Sequence, residues 1–156
     1  MAFSCKRFAS FAPSILLFVA ALVSCSDSGM GPIKAVSPLV GVWDASILTV
    51  PDPQNPSENL DLIEEGASYA LSVLSTGHYT AVFDLVVLQG FEAGEIQVSG
   101  DQITLTPTSP PGTVMSGLFM FEGDNLVIDA LRSLDYDGDG DDDVVPIHLE
   151  LVPRQS

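Results

Sequence analysis

From Leu39 onward, apolar residues alternate with polar or small ones in short runs. Val, Ile, Leu, Thr and aromatics dominate those runs, and Gly, Asp, Asn and Pro separate them. A period of two with β-branched and aromatic enrichment is the pattern of half-buried strands. It predicts strands over 39–50, 67–76, 78–89, 91–99, 102–107, 114–122, 125–135 and 144–152. "STGH", "SGDQ" and "EGDN" supply the turns, each with a Gly suited to positive φ. "PDPQNPSEN" (51–59) and "PTSPPG" (107–112) read as longer, stiffer connections. No amphipathic helix is visible; 60–70 has room for a single helical turn. No internal repeat points to a propeller or solenoid.

The same alternation assigns faces. Trp43, Ala45 and Ile47 share one face of the first strand. Tyr69, Leu71 and Val73 share one on the second, and Tyr79, Ala81, Phe83 and Leu85 one on the third. Ile103 and Leu105 follow, and Val145, Ile147, Leu149 and Leu151 close the set. On the sixth strand both faces are apolar, with Leu118 and Met120 opposite Phe119 and Phe121. About eight antiparallel strands joined by tight turns predict an all-β fold, an up-and-down barrel or, as the alternative, a β-sandwich. A barrel of this size has an interior just wide enough for side chains or one small ligand. Tyr69, Tyr79 and Phe83 are the candidates to line such a pocket, and each is equally a core residue.

The 156 residues suffice for one domain with a proper core. The start of the chain stands apart from the strand pattern. Lys6 and Arg7 precede an apolar run to Val23, too short for a typical membrane span and shaped like a secretory signal. That run ends Leu22-Val23-Ser24-Cys25, which resembles the lipobox of bacterial lipoproteins. The resemblance implies cleavage before Cys25 and diacylation of its thiol. Residues 1–24 are then a signal peptide, 25–38 a lipidated Cys with a small, polar, flexible tether, and 39–154 the folded domain. By the same resemblance, Ser26 after the Cys implies sorting to the outer membrane of the cell envelope, on either its periplasmic or its outer side.

Cysteine and charge fit this division. The chain has two Cys; Cys5 leaves with the signal and Cys25 carries the lipid, so no disulfide is expected. The mature chain keeps Lys34, Arg132 and Arg154 against 21 Asp and Glu, a formal charge of 3 − 21 = −18. Such a surface repels nucleic acid and anionic head groups, so the membrane is reached through the lipid.

The first strand contains Gly41-Val42-Trp43, which resembles the G-x-W signature of lipocalins and of smaller bacterial lipocalin-like domains. "STGHYTAVF", "VSGDQITLTP" and "FEGDNLVIDA" resemble those bacterial domains too. The resemblance implies a lipocalin-like barrel whose Trp43 plugs the closed end, with Arg154 stacked across the indole. A guanidinium over an indole contributes about 0.5–2 kcal/mol. The C-terminal helix common in lipocalins is missing from the pattern.

Residues 135–143 read "DYDGDGDDD", six Asp in nine positions. Calcium takes six to eight oxygens from a tight turn. Asp135, Asp137 and Asp139 fall at loop positions 1, 3 and 5, Gly140 at 6, Asp141 at 7 and Asp143 at 9. Position 12 is Pro146, which excludes the helix–loop–helix version. The loop resembles instead the strand–loop–strand calcium sites of FG-GAP modules. A solvated hairpin turn would account for the glycines but not for the mutual repulsion of the carboxylates. The reading is a structural calcium ion clamping the last hairpin.

Nothing in the chain assembles a catalytic constellation. No nucleophile elbow, zinc motif or phosphate loop occurs, and His78 and His148 read as surface residues. The expected class is therefore a non-enzymatic, lipid-anchored envelope protein. It would bind a small apolar ligand in the barrel mouth, or carry a filled barrel and meet an envelope protein through an exposed apolar strip, for which Phe119 and Phe121 are the candidates.

Overall fold

The computed structural model describes residues 36–85, 89–135 and 140–155. A 3-10 turn at Ser37–Leu39 leads into nine strands. They are β1 Gly41–Pro51, β2 Asn59–Asp61, β3 Ser68–Val73, β4 His78–Asp84, β5 Gln89–Ser99, β6 Gln102–Ser109, β7 Met115–Glu122, β8 Asn125–Leu134 and β9 Asp143–Pro153. β1 and β3 to β9 pair in sequence, all antiparallel, and β9 returns to pair with β1. The result is a closed, eight-stranded, up-and-down barrel of lipocalin-like type, not a sandwich. Closure removes the exposed sheet edges that an open meander would leave. The additional strand β2 lies beside the end of β1, where the sequence suggested a helical turn.

Cross-strand partners share a face, so the register defines the lumen. Leu71 opposes Ala81, Ile96 opposes Leu105, and Ile128 opposes Leu149. All six are buried in one continuous core. Alternation identifies the inner face correctly for most strands, with two corrections. Ile47 does not follow Trp43 and Ala45 inward. The β1–β9 register shifts between Ala45 and Ile47, so Leu48 and Val50 take the inner phase instead. On β7, Phe119 and Phe121 are not the outward strip: they oppose Ile128 and Leu126 on the inner face, Phe121 half-exposed at the barrel end, while Leu118 and Met120 face outward.

The two ends of the barrel differ. At one end, tight turns join β3–β4, β5–β6 and β7–β8, and the incoming chain crosses the opening. Val36 and Leu39 are fully buried there, and the Trp43 Nε1–H donates to the Leu39 carbonyl at 2.9 Å. The other end carries the longer connections, including the acidic stretch between β8 and β9. Leu62 and Ile63 from the β2–β3 connection pack on the core at that end. Asp61 Oδ1 fixes their path, accepting from the backbone N–H of Ile63 at 2.9 Å and of Leu48 at 3.2 Å.

Candidate functional site

Gly41 and Trp43 sit where the G-x-W pattern places them, at the closed end. Gly41 has φ 153°, a conformation that costs a side-chain-bearing residue more than Gly. The indole of Trp43 lies beside Phe121, ring centroids 6.1 Å apart. Arg154 departs from expectation. Its Nε donates to Asp44 Oδ2 at 2.8 Å and its Nη2 to Asp44 Oδ1, a forked pair on the outer wall rather than a stack on the indole. Asp44 lies one residue from Trp43 and so points to the opposite side of the strand, and the charged fork outcompetes the ring face. The guanidinium holds the Asp44 carboxyl below its ordinary range.

Tyr69, Tyr79 and Phe83 all belong to the inner face; Tyr69 opposes Phe83 across β3–β4. Two residues that the sequence reading missed join them. Glu92 is inward on β5, 6% exposed, and its Oε1 accepts from the Tyr79 hydroxyl at 3.1 Å. Arg132, inward on β8, donates from Nη2 to Glu92 Oε2 at 2.6 Å. Each carboxylate oxygen thereby has a donor, which a buried charge requires. Burial, and then the Glu92 charge, push both the Tyr69 and Tyr79 phenols well above the ordinary tyrosine range. The cluster is a cross-brace through the lumen and has no nucleophile–base pair. The signal was present in the period-two pattern: Glu92 shares its phase with Ile96, and Arg132 with Ile128 and Ala130.

Two concave sites among the described residues lie on the wall. One, of about 530 Å³, opens where β1 and β3 diverge and is lined by Ala45, Tyr69, Val82 and the Asp44–Arg154 pair, among others. β1 pairs with β3 only as far as Asp44 and with β2 only from Thr49, so the wall is thinnest there. The other, about 470 Å³, runs over the outer faces of β7, β8 and β9. His148 lies in it, its Nδ1 2.7 Å from Asp129 Oδ1, and the carboxylate holds the imidazole above its ordinary pKa.

Of the proposed calcium ligands, Asp135, Asp141 and Asp143 are exposed and flank the β8–β9 connection. Asp137 and Asp139 lie outside the described residues, as does Cys25. Among the described residues no group of three His, Cys, Asp or Glu side chains is gathered for a metal. Gly140 has φ +97°, the left-handed region that favours Gly in any turn. No helix among the described residues is long and apolar enough to cross a membrane. No family model matches the chain, and no curated protein matches it.

Proposed function

We propose that the chain is a lipid-anchored envelope protein whose barrel is packed through its lumen and which acts through its exterior, as a structural or protein-interaction module. The observation that carries this reading is the Tyr79–Glu92–Arg132 brace across an interior otherwise filled by apolar side chains. A carrier barrel keeps its inward aromatics free to line a cavity. Here Tyr79 is 2% exposed and its hydroxyl is already engaged. Titration with a fluorescent fatty acid tests the point: a packed lumen gives no saturable binding, whereas stoichiometric uptake quenched by Tyr79→Trp sinks the reading.

The lipid is assigned to Cys25 from the LVSC motif and the signal before it. Mass spectrometry of the chain recovered from membranes should give a diacylglyceryl Cys25 at the N-terminus, lost in Cys25→Ala. The β8–β9 loop is assigned one calcium ion, held by Asp135, Asp137, Asp139, the Asp141 carbonyl and Asp143, on ligand spacing. Bound there, calcium offsets two of the loop's six negative charges and ties the last hairpin of a domain without disulfides. A second reading, a small apolar ligand, is favoured by one feature: Tyr69 lines the cleft of about 530 Å³ in the thin wall between β1 and β3.

A further inference from the structure

We infer that the Trp43 end of the barrel is a docking surface for the zwitterionic surface of the bilayer that carries the anchor, so that the acidic loop end points away from it. The inference rests on the lipid-anchor reading and adds an orientation to it. Three observations meet at this end. The described chain enters here: Val36 and Leu39 are buried against the barrel, and Trp43 hydrogen-bonds to Leu39. Eleven peptide steps separate Val36 from Cys25. At 3.3–3.6 Å per residue they span at most about 40 Å, so an anchor at Cys25 keeps this end near the lipid.

The same end exposes apolar side chains around its rim. Val40, Val42 and Leu74 are 42%, 38% and 56% exposed, and Met120 and Phe121 are 51% and 40% exposed. Val42 faces Ser72 across β1–β3, and Leu74 continues directly from β3. Phe121 meets Trp43 at the barrel end. Alone, such a rim binds bilayers weakly. An anchor a few nanometres away raises its effective concentration enough to populate a weak contact.

Charge decides between the two ends. The loop end carries Asp52, Glu58, Glu64, Glu65 and Asp84 besides the acidic β8–β9 stretch. Five carboxylates and the acidic stretch there, against three at the Trp43 end, make the loop end the costlier one to bring against a bilayer. The Trp43 end carries Asp101 and Asp124 in its turns and Glu122 at the end of β7. These three disfavour an anionic leaflet and so select a zwitterionic one.

The test uses the processed chain isolated from membranes and reconstituted in phosphatidylcholine vesicles. With Cys25 acylated, a nitroxide on Leu74→Cys or on Asp142→Cys is the only label. Both positions are exposed, so neither substitution disturbs the core. The account expects the Leu74 nitroxide to be more accessible to oxygen than to an aqueous nickel chelate, and the Asp142 nitroxide the reverse. Adding Val42→Asp and Met120→Asp should return the Leu74 label to water, while Val82→Asp and Phe91→Asp should not. An aqueous Leu74 label on a lipidated chain overturns the docking surface and leaves the anchor standing. A chain whose mass shows bare Cys25 overturns the anchor and the orientation with it.

Discussion

Arg132 on β8 reaches across the lumen to Glu92 on β5, Nη2 to Oε2 2.6 Å, and thereby ties strands that are not neighbours in the sheet. Removing one partner of a buried pair costs more than removing both, because the survivor is left charged and unsatisfied. Arg132→Met alone should lower the unfolding free energy by about 3 kcal/mol. The double variant Glu92→Leu/Arg132→Met should lose clearly less. Urea denaturation of the single and double variants at neutral pH measures both. Equal losses would mean that the pair is solvated.

The phenols beside that pair report its burial. Tyr69 and Tyr79 are held protonated above their ordinary value of 10.0 by burial and by the Glu92 charge. In the folded chain, Tyr69 and Tyr79 should resist ionisation as pH rises through that value, and both should ionise at it in denaturant. Sign follows from linkage. The contribution of the two phenols to stability is intact below pH 10.0 and is lost above it, because the unfolded chain releases those protons first. Tyrosinate absorbance against pH, with and without denaturant, reads this directly.

Two glycines of the barrel wall are needed for close approach rather than for a turn. A Cβ on Gly94 would lie 2.1 Å from the Thr106 carbonyl oxygen, and one on Gly117 would lie 2.0 Å from that of Asp129. Both contacts are with backbone of the neighbouring strand, which has little room to yield. Gly94→Ala and Gly117→Ala should each cost about 1–3 kcal/mol, as overpacking does. Thermal unfolding of both variants checks it; unchanged midpoints would contradict the register.

His148 is the group that makes stability respond near neutral pH. Its hydrogen bond to Asp129 raises its pKa above the ordinary 6.5. Its stabilising effect is therefore full below 6.5 and fades as pH rises through the folded value. The side chain is 38% exposed, so salt should weaken the effect. Proton NMR titration should place His148 above 6.5 and lower it in Asp129→Asn.

The alternation of "HYTAVF" and "PIHLEL" made the inner and outer faces of β4 and β9 legible, because both strands run straight and one face is buried. Ile47 was misplaced because a bulge changes the phase of everything after it, and no composition cue marks Ser46. Trp43 was legible as a buried strand residue, and only the G-x-W resemblance suggested its place at the barrel end, where it is buried against Leu39. Arg154 was not, because a nearby carboxylate and an indole compete for it on opposite faces of one strand. Glu92 and Arg132 were overlooked because charges in strands usually mark the solvent face. Their phase placed them inside, but what offsets a buried charge is its partner, and that partner lies 40 residues away.

The central claim is a lumen closed by its own side chains. Native mass spectrometry of the chain purified without denaturant tests it most directly. The account predicts a mass equal to the lipidated polypeptide with one calcium ion, and no further stoichiometric component. A discrete additional mass of a few hundred daltons, released on unfolding and absent after Tyr69→Trp narrows the wall cleft, would contradict it and make the barrel a carrier.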